Sequence, residues 1–187
     1  MRTLIVSSAL WLSVVGCFLA PATAEAAAKH YLLVRGVEEA DGVKSGVTAE
    51  LGEMFVAELK KHPELIVLAD ADALAAAQKQ HNLPALEVAL RVLAAGGRLD
   101  DPKPGKQYRV LDRFVRLAVF GNTLPQKTLA IGGDGDGEMK VEIGRQADVE
   151  KEGKALTLDC AKVAVTQAVN MTVQKLNLQG KTIKAKK

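Results

Sequence analysis

ELIVLA at residues 64–69 is apolar at every position but the first, so a strand built from it needs cover on both faces. Such a run reads as a buried central strand, and it demands a layered architecture in which helices pack on a sheet. Its neighbours supply the helices. Upstream, VTAELGEMFVAELKK (47–61) places Val47, Leu51, Met54, Phe55 and Leu59 on one face at helical spacing. Ser45 or Thr48 is positioned to cap this helix, Lys60 and Lys61 suit its negative end, and Pro63 stops it. Downstream, Asp70 or Asp72 caps ALAAAQKQ, which ends at Asn82.

The remaining elements follow from period and punctuation. HYLLVRGV (30–37) is β-branched and aromatic and reads as a strand closed by Gly36 and an acidic loop. PALEVALRVLAA (84–95) opens on proline, carries Leu86, Leu90 and Leu93 on one stripe with a Glu87–Arg91 pair, and stops at Gly96 and Gly97. That pattern predicts a helix. GRLDDPKPGKQ (97–107) is an exposed loop, YRVLDRFVRLAVF (108–120) a long strand, and GNTLPQ the turn after it. KTLAIGG and EMKVEIG are two more strands, the second setting Met139, Val141 and Ile143 against Glu138, Lys140 and Glu142. KALTLDCAKVAVTQAVNMTVQKL (154–176) presents Leu158, Ala161, Val165, Ala168, Val169, Thr172 and Leu176 as one stripe, a helix packed on a sheet.

The expected fold is therefore a single α+β domain over 25–180, ordered β-α-β-α-α-β-β-β-α. Its sheet is mixed, mostly antiparallel and of about five strands, with helices on one face. KTIKAKK (181–187) is a basic flexible tail.

Residues 1–24 form a secretory signal peptide. MR is a charged start, TLIVSSALWLSVVGCFLA an apolar run, and PATA a small-x-small site that cleaves between Ala24 and Glu25, with Ala26 the near alternative. Pro21 and the small residues after it argue against a retained membrane anchor. VVGC (14–17) resembles a bacterial lipobox and gives an alternative fate, lipidation at Cys17 and membrane attachment. Cleavage leaves 163 residues and takes the formal charge from +3 to +2 by removing Arg2. A chain so near neutrality has no basic field for nucleic acid. Expected localisation is the periplasm or the exterior.

GGDGDGE (132–138) invites a ligand-loop reading. Counted from Asp134, a calcium loop meets Glu138 and Met139 at its fifth and sixth positions and Arg145 at its twelfth, which does not fit. A dinucleotide fingerprint fails at Glu138. Between two strands, the run reads as a hairpin turn with an acidic tip.

The chemical inventory is poor. DGVKSG (41–46) lies where a phosphate loop would, but Gly36, Gly42 and Lys44 are wrongly spaced and Glu38, Glu39 and Asp41 repel phosphate. Cleavage leaves Ser45 as the sole serine, without a nucleophile elbow, and Cys160 as the sole cysteine, with no partner for an internal disulfide. Cys160 reads as a buried structural thiol, with an intermolecular disulfide as the alternative. His30, His62 and His81 never fall at i, i+3 or i, i+4, so zinc is not indicated. Asp70 with Asp72, and Asp100 with Asp101, read as caps and solvated loop charges before they read as acid–base pairs. Asn170-Met171-Thr172 is a formal glycosylation sequon inside a helix. Arg109 and Arg113 share one strand face and Arg116 takes the other, solvated charges with a partner-contact patch as the sharper reading. No catalytic residue, metal or cofactor is expected.

The order of strand, amphipathic helix ending in AELKKHPELIVLADADAL, hairpin sheet and closing Ala/Val-rich helix resembles a family of bacterial envelope domains. These are the α/β modules of the TolB N-terminal part, the curli-secretion lipoprotein CsgG and the penicillin-binding-protein activator LpoB. Residues 47–74 carry the best match. The resemblance implies a scaffold or binding partner rather than an enzyme: an exported protein that binds another envelope protein or a cell-wall component. Two alternatives stand beside it, a Cys17-anchored component of a secretion or cell-wall assembly and a small periplasmic hydrolase. Oligomeric state is unspecified.

Overall fold

The computed structural model describes residues 29–102 and 104–185. Along the chain run β1 (His30–Glu39), α1 (Thr48–Leu59), β2 (Leu65–Leu68), α2 (Ala71–Gln80), β3 (Ala85–Asp100), β4 (Tyr108–Thr123), β5 (Leu129–Gly144) and α3 (Val149–Ala185). The strands form one sheet in the order β2-β1-β3-β4-β5. β1 is parallel to both of its neighbours, and β3, β4 and β5 are antiparallel. The class is α+β with a five-stranded mixed sheet, as expected.

The helices do not share one face. The crossover from β1 to β2 steps one way across the sheet, and the crossover from β2 to β3 steps back past β1. Two right-handed crossovers in opposite directions put their helices on opposite sides. Leu32 accordingly packs in the same cluster as Leu51, Phe55 and Leu59 of α1, while its neighbour Tyr31 packs with Leu74 of α2 and Ala85. The Tyr31 hydroxyl donates to the Ala77 carbonyl at 3.2 Å. This explains ELIVLA as well, with a correction: β2 is an edge strand and not a central one. Leu65 and Val67 join the α1 cluster, and Ile66 and Leu68 join the α2 cluster, so both faces are covered without a second neighbouring strand.

Residues 85–100 are a strand, where a helix was expected over 84–95 and an exposed loop from 97 onward. The Leu86–Leu90 and Glu87–Arg91 spacings that suggested a helix are four apart, and four is an even number, so they suit a strand equally. Val88 and Val92 decide: Leu86, Val88, Leu90 and Val92 are all buried, whereas Leu93, the i+3 member of the expected stripe, is exposed. Removing that helix leaves three helices among the described residues, in the order β-α-β-α-β-β-β-α.

The second correction falls on GGDGDGE. It is the middle of β5, paired from Leu117↔Gly135 outward with β4, and the connection between those strands lies at 124–128. None of its glycines has a positive φ. They are there for room. A Cβ on Gly133, Gly135 or Gly137 would fall on the carbonyl oxygens of Ala168, Ala164 and Cys160 respectively, all inside the 3.0 Å that real Cβ atoms respect. Strand period 2 meets helix spacing of four, and the backbone of α3 lies directly on the backbone of β5. Cys160, Ala161, Ala164, Val165, Ala168 and Val169 are buried along this contact, which bears out the stripe read from the sequence. Asp134, Asp136 and Glu138 alternate with the glycines and point to the other face, exposed.

Gly135→Ala is expected to cost about 1–3 kcal/mol in urea unfolding, because a methyl group must displace the Ala164 carbonyl. Asp134→Ala, on the exposed face, should stay within about 0.5 kcal/mol. Equal, small effects from the two would contradict the close packing.

Candidate functional site

The residues singled out by chemistry are scattered. Cys160 is fully buried on the sheet-facing side of α3, and its Sγ–H donates to the Arg113 carbonyl at 3.2 Å. Burial pushes its thiol pKa up, which leaves less thiolate at neutral pH. His62 and His81 sit just past the ends of α1 and α2, and His30 opens β1. Asp70 is the cap of α2, its Oδ1 accepting from the Ala73 amide at 2.8 Å, and Asp100 pairs with Arg98 at 3.3 Å. Among the described residues, no group of three His, Cys, Asp or Glu side chains is arranged to hold a metal. Thr172 of the sequon is buried against the Ala168 carbonyl. Ala24, Glu25 and Cys17 lie outside the described residues.

Ser45 and Thr48 do not cap α1 in the expected way. Val47 holds the cap position without a side-chain hydrogen bond. Glu39 at the end of β1 instead accepts from the Ser45 amide at 2.8 Å, the Ser45 hydroxyl at 2.6 Å and the Thr48 hydroxyl at 3.1 Å. These donors, the Ser45 hydroxyl first, hold the Glu39 carboxyl below its ordinary value. The 40–47 loop is thereby tied to the strand it leaves.

Two surfaces remain that could receive a ligand or partner. The larger is the sheet face opposite α1 and α3. α2 covers only its β1–β2 end, so the long strands β3, β4 and β5 leave most of it open. Cross-strand charges ladder over it. Asp112 lies between Arg98 at 3.8 Å and Lys140 at 3.6 Å, its partners in the neighbouring strands, and Arg116 meets Asp136 at 2.5 Å. Between these pairs stand Phe114, 38% exposed, and Phe120, 36% exposed, with Leu93. The Phe114 ring lies over Gly96, where a Cβ would come within 3.2 Å of it. Beside Phe120 is a cleft of about 290 Å³ lined by Arg35, Glu87, Arg91, Asn122 and Leu129. Arg35 pairs with Glu87 at 3.5 Å, while the Arg91 Nε is shut from solvent and has no hydrogen-bond partner among the described residues. The sequence separated Arg116 from Arg109 and Arg113 correctly. It missed the phenylalanines, although both alternate with buried neighbours in RFVRLAVF.

The second surface is on the helix side, a cleft of about 290 Å³ among Lys44, Ser45, Gly97, Arg113 and Thr157. Nothing in the sequence brings the 40–47 loop, β3 and α3 together, so this site was not legible there.

The sequence matches no protein-family model and no curated protein. Its fold is similar to that of a Helicobacter pylori protein described as a homolog of a neuraminyllactose-binding hemagglutinin, with 11% identity, a TM-score of 0.55, and 86% of this chain and 91% of that chain covered. A Xanthomonas campestris protein of the DUF330 family (12% identity, TM-score 0.43, 84% and 91% covered) is a more distant match. So is a lipoprotein from Caulobacter crescentus (12%, 0.41, 76% and 89%). At these identities the likeness concerns the fold alone.

Two outcomes check the local chemistry. A thiol reagent at neutral pH should leave Cys160 unmodified in the native protein and label it on unfolding; rapid native labelling would contradict its burial. Because the folded pKa of Glu39 is depressed, its stabilising effect is present above the unfolded value of about 4.5 and is lost as pH falls through the folded one. Acid unfolding curves of Glu39→Gln should therefore be flatter than wild type below that pH. Parallel curves would contradict the Ser45–Glu39 tie.

Proposed function

We propose that this chain is an exported, non-enzymatic envelope protein that binds another envelope protein through the open face of its sheet. The observation that carries the reading is the uncovered face itself, with Phe114 and Phe120 set among cross-strand ion pairs. Aromatic residues exposed within a rim of charge are the composition of protein-binding patches. The reading is also supported by the apolar, small-residue-terminated leader at 1–24 and by the scatter of Ser45, Cys160 and the three histidines. Kinship with the TolB, CsgG and LpoB modules, which act as scaffolds and partners, belongs to the same proposal.

Lipidation at Cys17, which would make the chain a membrane-anchored part of a secretion or cell-wall assembly, is compatible with this use of the sheet face. No described helix is long and apolar enough to cross a membrane. A thiol hydrolase draws no support from a cysteine fully buried on the sheet-facing side of α3.

A photo-crosslinking amino acid at position 114 or 120, introduced into the native envelope and followed by mass spectrometry, should give a discrete protein adduct. Position 162, exposed on the outer side of α3, should give none. Adducts from 162 alone, or from none of the three, would count against the proposal.

A further inference from the structure

The cleft on the helix side is independent of the open face, and we infer that it is a binding site for a small oxyanion, with Arg113 as its principal ligand and Lys44 as its second cation. Arg113 occupies an unusual place. It stands on the face of β4 that packs against α3, in line with Val115, Leu117 and Val119, which are buried core. An arginine in that row is accommodated because two of its neighbours have no side chains, although its β5 partner is Met139. Gly97 is its partner on β3, and Gly153 lies above it in the first turns of α3. A Cβ on either would come within 2.8 Å of a guanidinium nitrogen. Two glycines on two different elements thus clear a space around one cationic group.

The guanidinium has little to satisfy it there. None of the ion pairs among the described residues involves Arg113, and its Nη1 donates only to the backbone carbonyl of Asp112, at 2.9 Å. A guanidinium carries five N–H donors in a planar fork, a geometry that matches the paired oxygens of a carboxylate or phosphate. The cleft beside it is about 290 Å³, enough for a small ligand and at the lower limit of ligand pockets. Lys44 lines the same cleft as a second positive charge, together with the hydroxyl-bearing Ser45 and Thr157. The Thr157 hydroxyl donates to the Gly153 carbonyl at 2.8 Å and the Ser45 hydroxyl to Glu39 at 2.6 Å, so the donors left for an anion are those of Arg113 and Lys44.

Lys44 is also held in place. The carboxylate of Glu39 fixes the adjacent Ser45 through its amide and hydroxyl, and that carboxylate is turned to Ser45 and Thr48. The anchor of the loop therefore positions Lys44 at the cleft, while Glu39 stays ionised and faces the Ser45 and Thr48 donors and the Lys44 charge, against which an oxyanion competes. The shared chemistry of the ligand is a small anionic oxygen group, a phosphate or a carboxylate.

Titration of the ¹⁵N-labelled protein with sodium phosphate and, separately, with sodium acetate tests this, using sodium chloride at matched ionic strength as the reference. Amide shifts at Gly97, Gly153 and Thr157 that saturate with one of these anions, beyond any chloride effect, are expected. The anion that binds tighter identifies the group as phosphate or carboxylate. Arg113→Met should weaken binding at least about tenfold, the scale of a lost charge-assisted hydrogen-bond pair. Lys44→Glu, on an exposed loop and safe for folding, should abolish it even if Arg113→Met proves unfolded by circular dichroism. No saturable shift beyond chloride, or unchanged binding in Lys44→Glu, would overturn the inference.

Discussion

A helix lying directly on the backbone of a strand sets the geometry of this protein. Helices usually stand off a sheet by the thickness of their side chains. Here Gly133, Gly135 and Gly137 remove the strand's contribution, and Cys160, Ala164 and Ala168 shrink the helix's, so that carbonyl oxygens of α3 come to rest where Cβ atoms would otherwise be. The packing that results is dispersion-dominated and intolerant of even one methyl group. It also dictates what the alternate residues do. With the glycine row facing α3, Asp134, Asp136 and Glu138 have only the outer face of the sheet to occupy.

Several other features follow from that contact. β5 is the edge of the sheet, and a long glycine-bearing edge invites pairing with another chain. α3 lies close enough to guard it with its own side chains: Gln167 accepts from the Asp136 amide at 3.1 Å, and Lys175 donates to the Gly132 carbonyl at 2.5 Å. At its other end, the same approach brings Gly153 over Arg113 and shapes the helix-side cleft. Because α1 and α3 close one face and α2 reaches only a corner of the other, the rest of the second face is left with charge ladders and two phenylalanines. Cover on one side and exposure on the other are two consequences of one packing arrangement.

Much of this was legible in the sequence, and the misreadings share a cause. The stripe from Ala161 to Leu176 announced α3, and the apolar faces of 47–61 and 64–69 announced α1 and β2. Asp70, one of the two aspartates read as the cap of α2, is the cap. Residues 85–92 misled because spacings of four fit both periods and Pro84 suits a helix start; Val88 and Val92 are the residues that mark the strand. GGDGDGE misled because glycine beside aspartate is the ordinary composition of turns. Its strict alternation was a strand signal, but seeing it requires knowing that a helix will lie against it, and that is a long-range fact. The same limit applies to the helix-side cleft, whose residues come from a loop, two strands and a helix. Burial of Cys160 was local enough to infer; the company of Arg113 was not.

Amide hydrogen exchange across 131–139 tests the helix-on-strand contact most directly. The Asp136 amide faces Gln167, away from β4, so by strand alternation the amides of Gly133, Gly135 and Gly137 face β4. They should exchange only through global unfolding, as slowly as Ala164 and Ala168 of α3. Exchange of those three glycine amides within seconds to minutes, while α3 stays protected, is the behaviour of an exposed turn and would contradict the packing of α3 on β5.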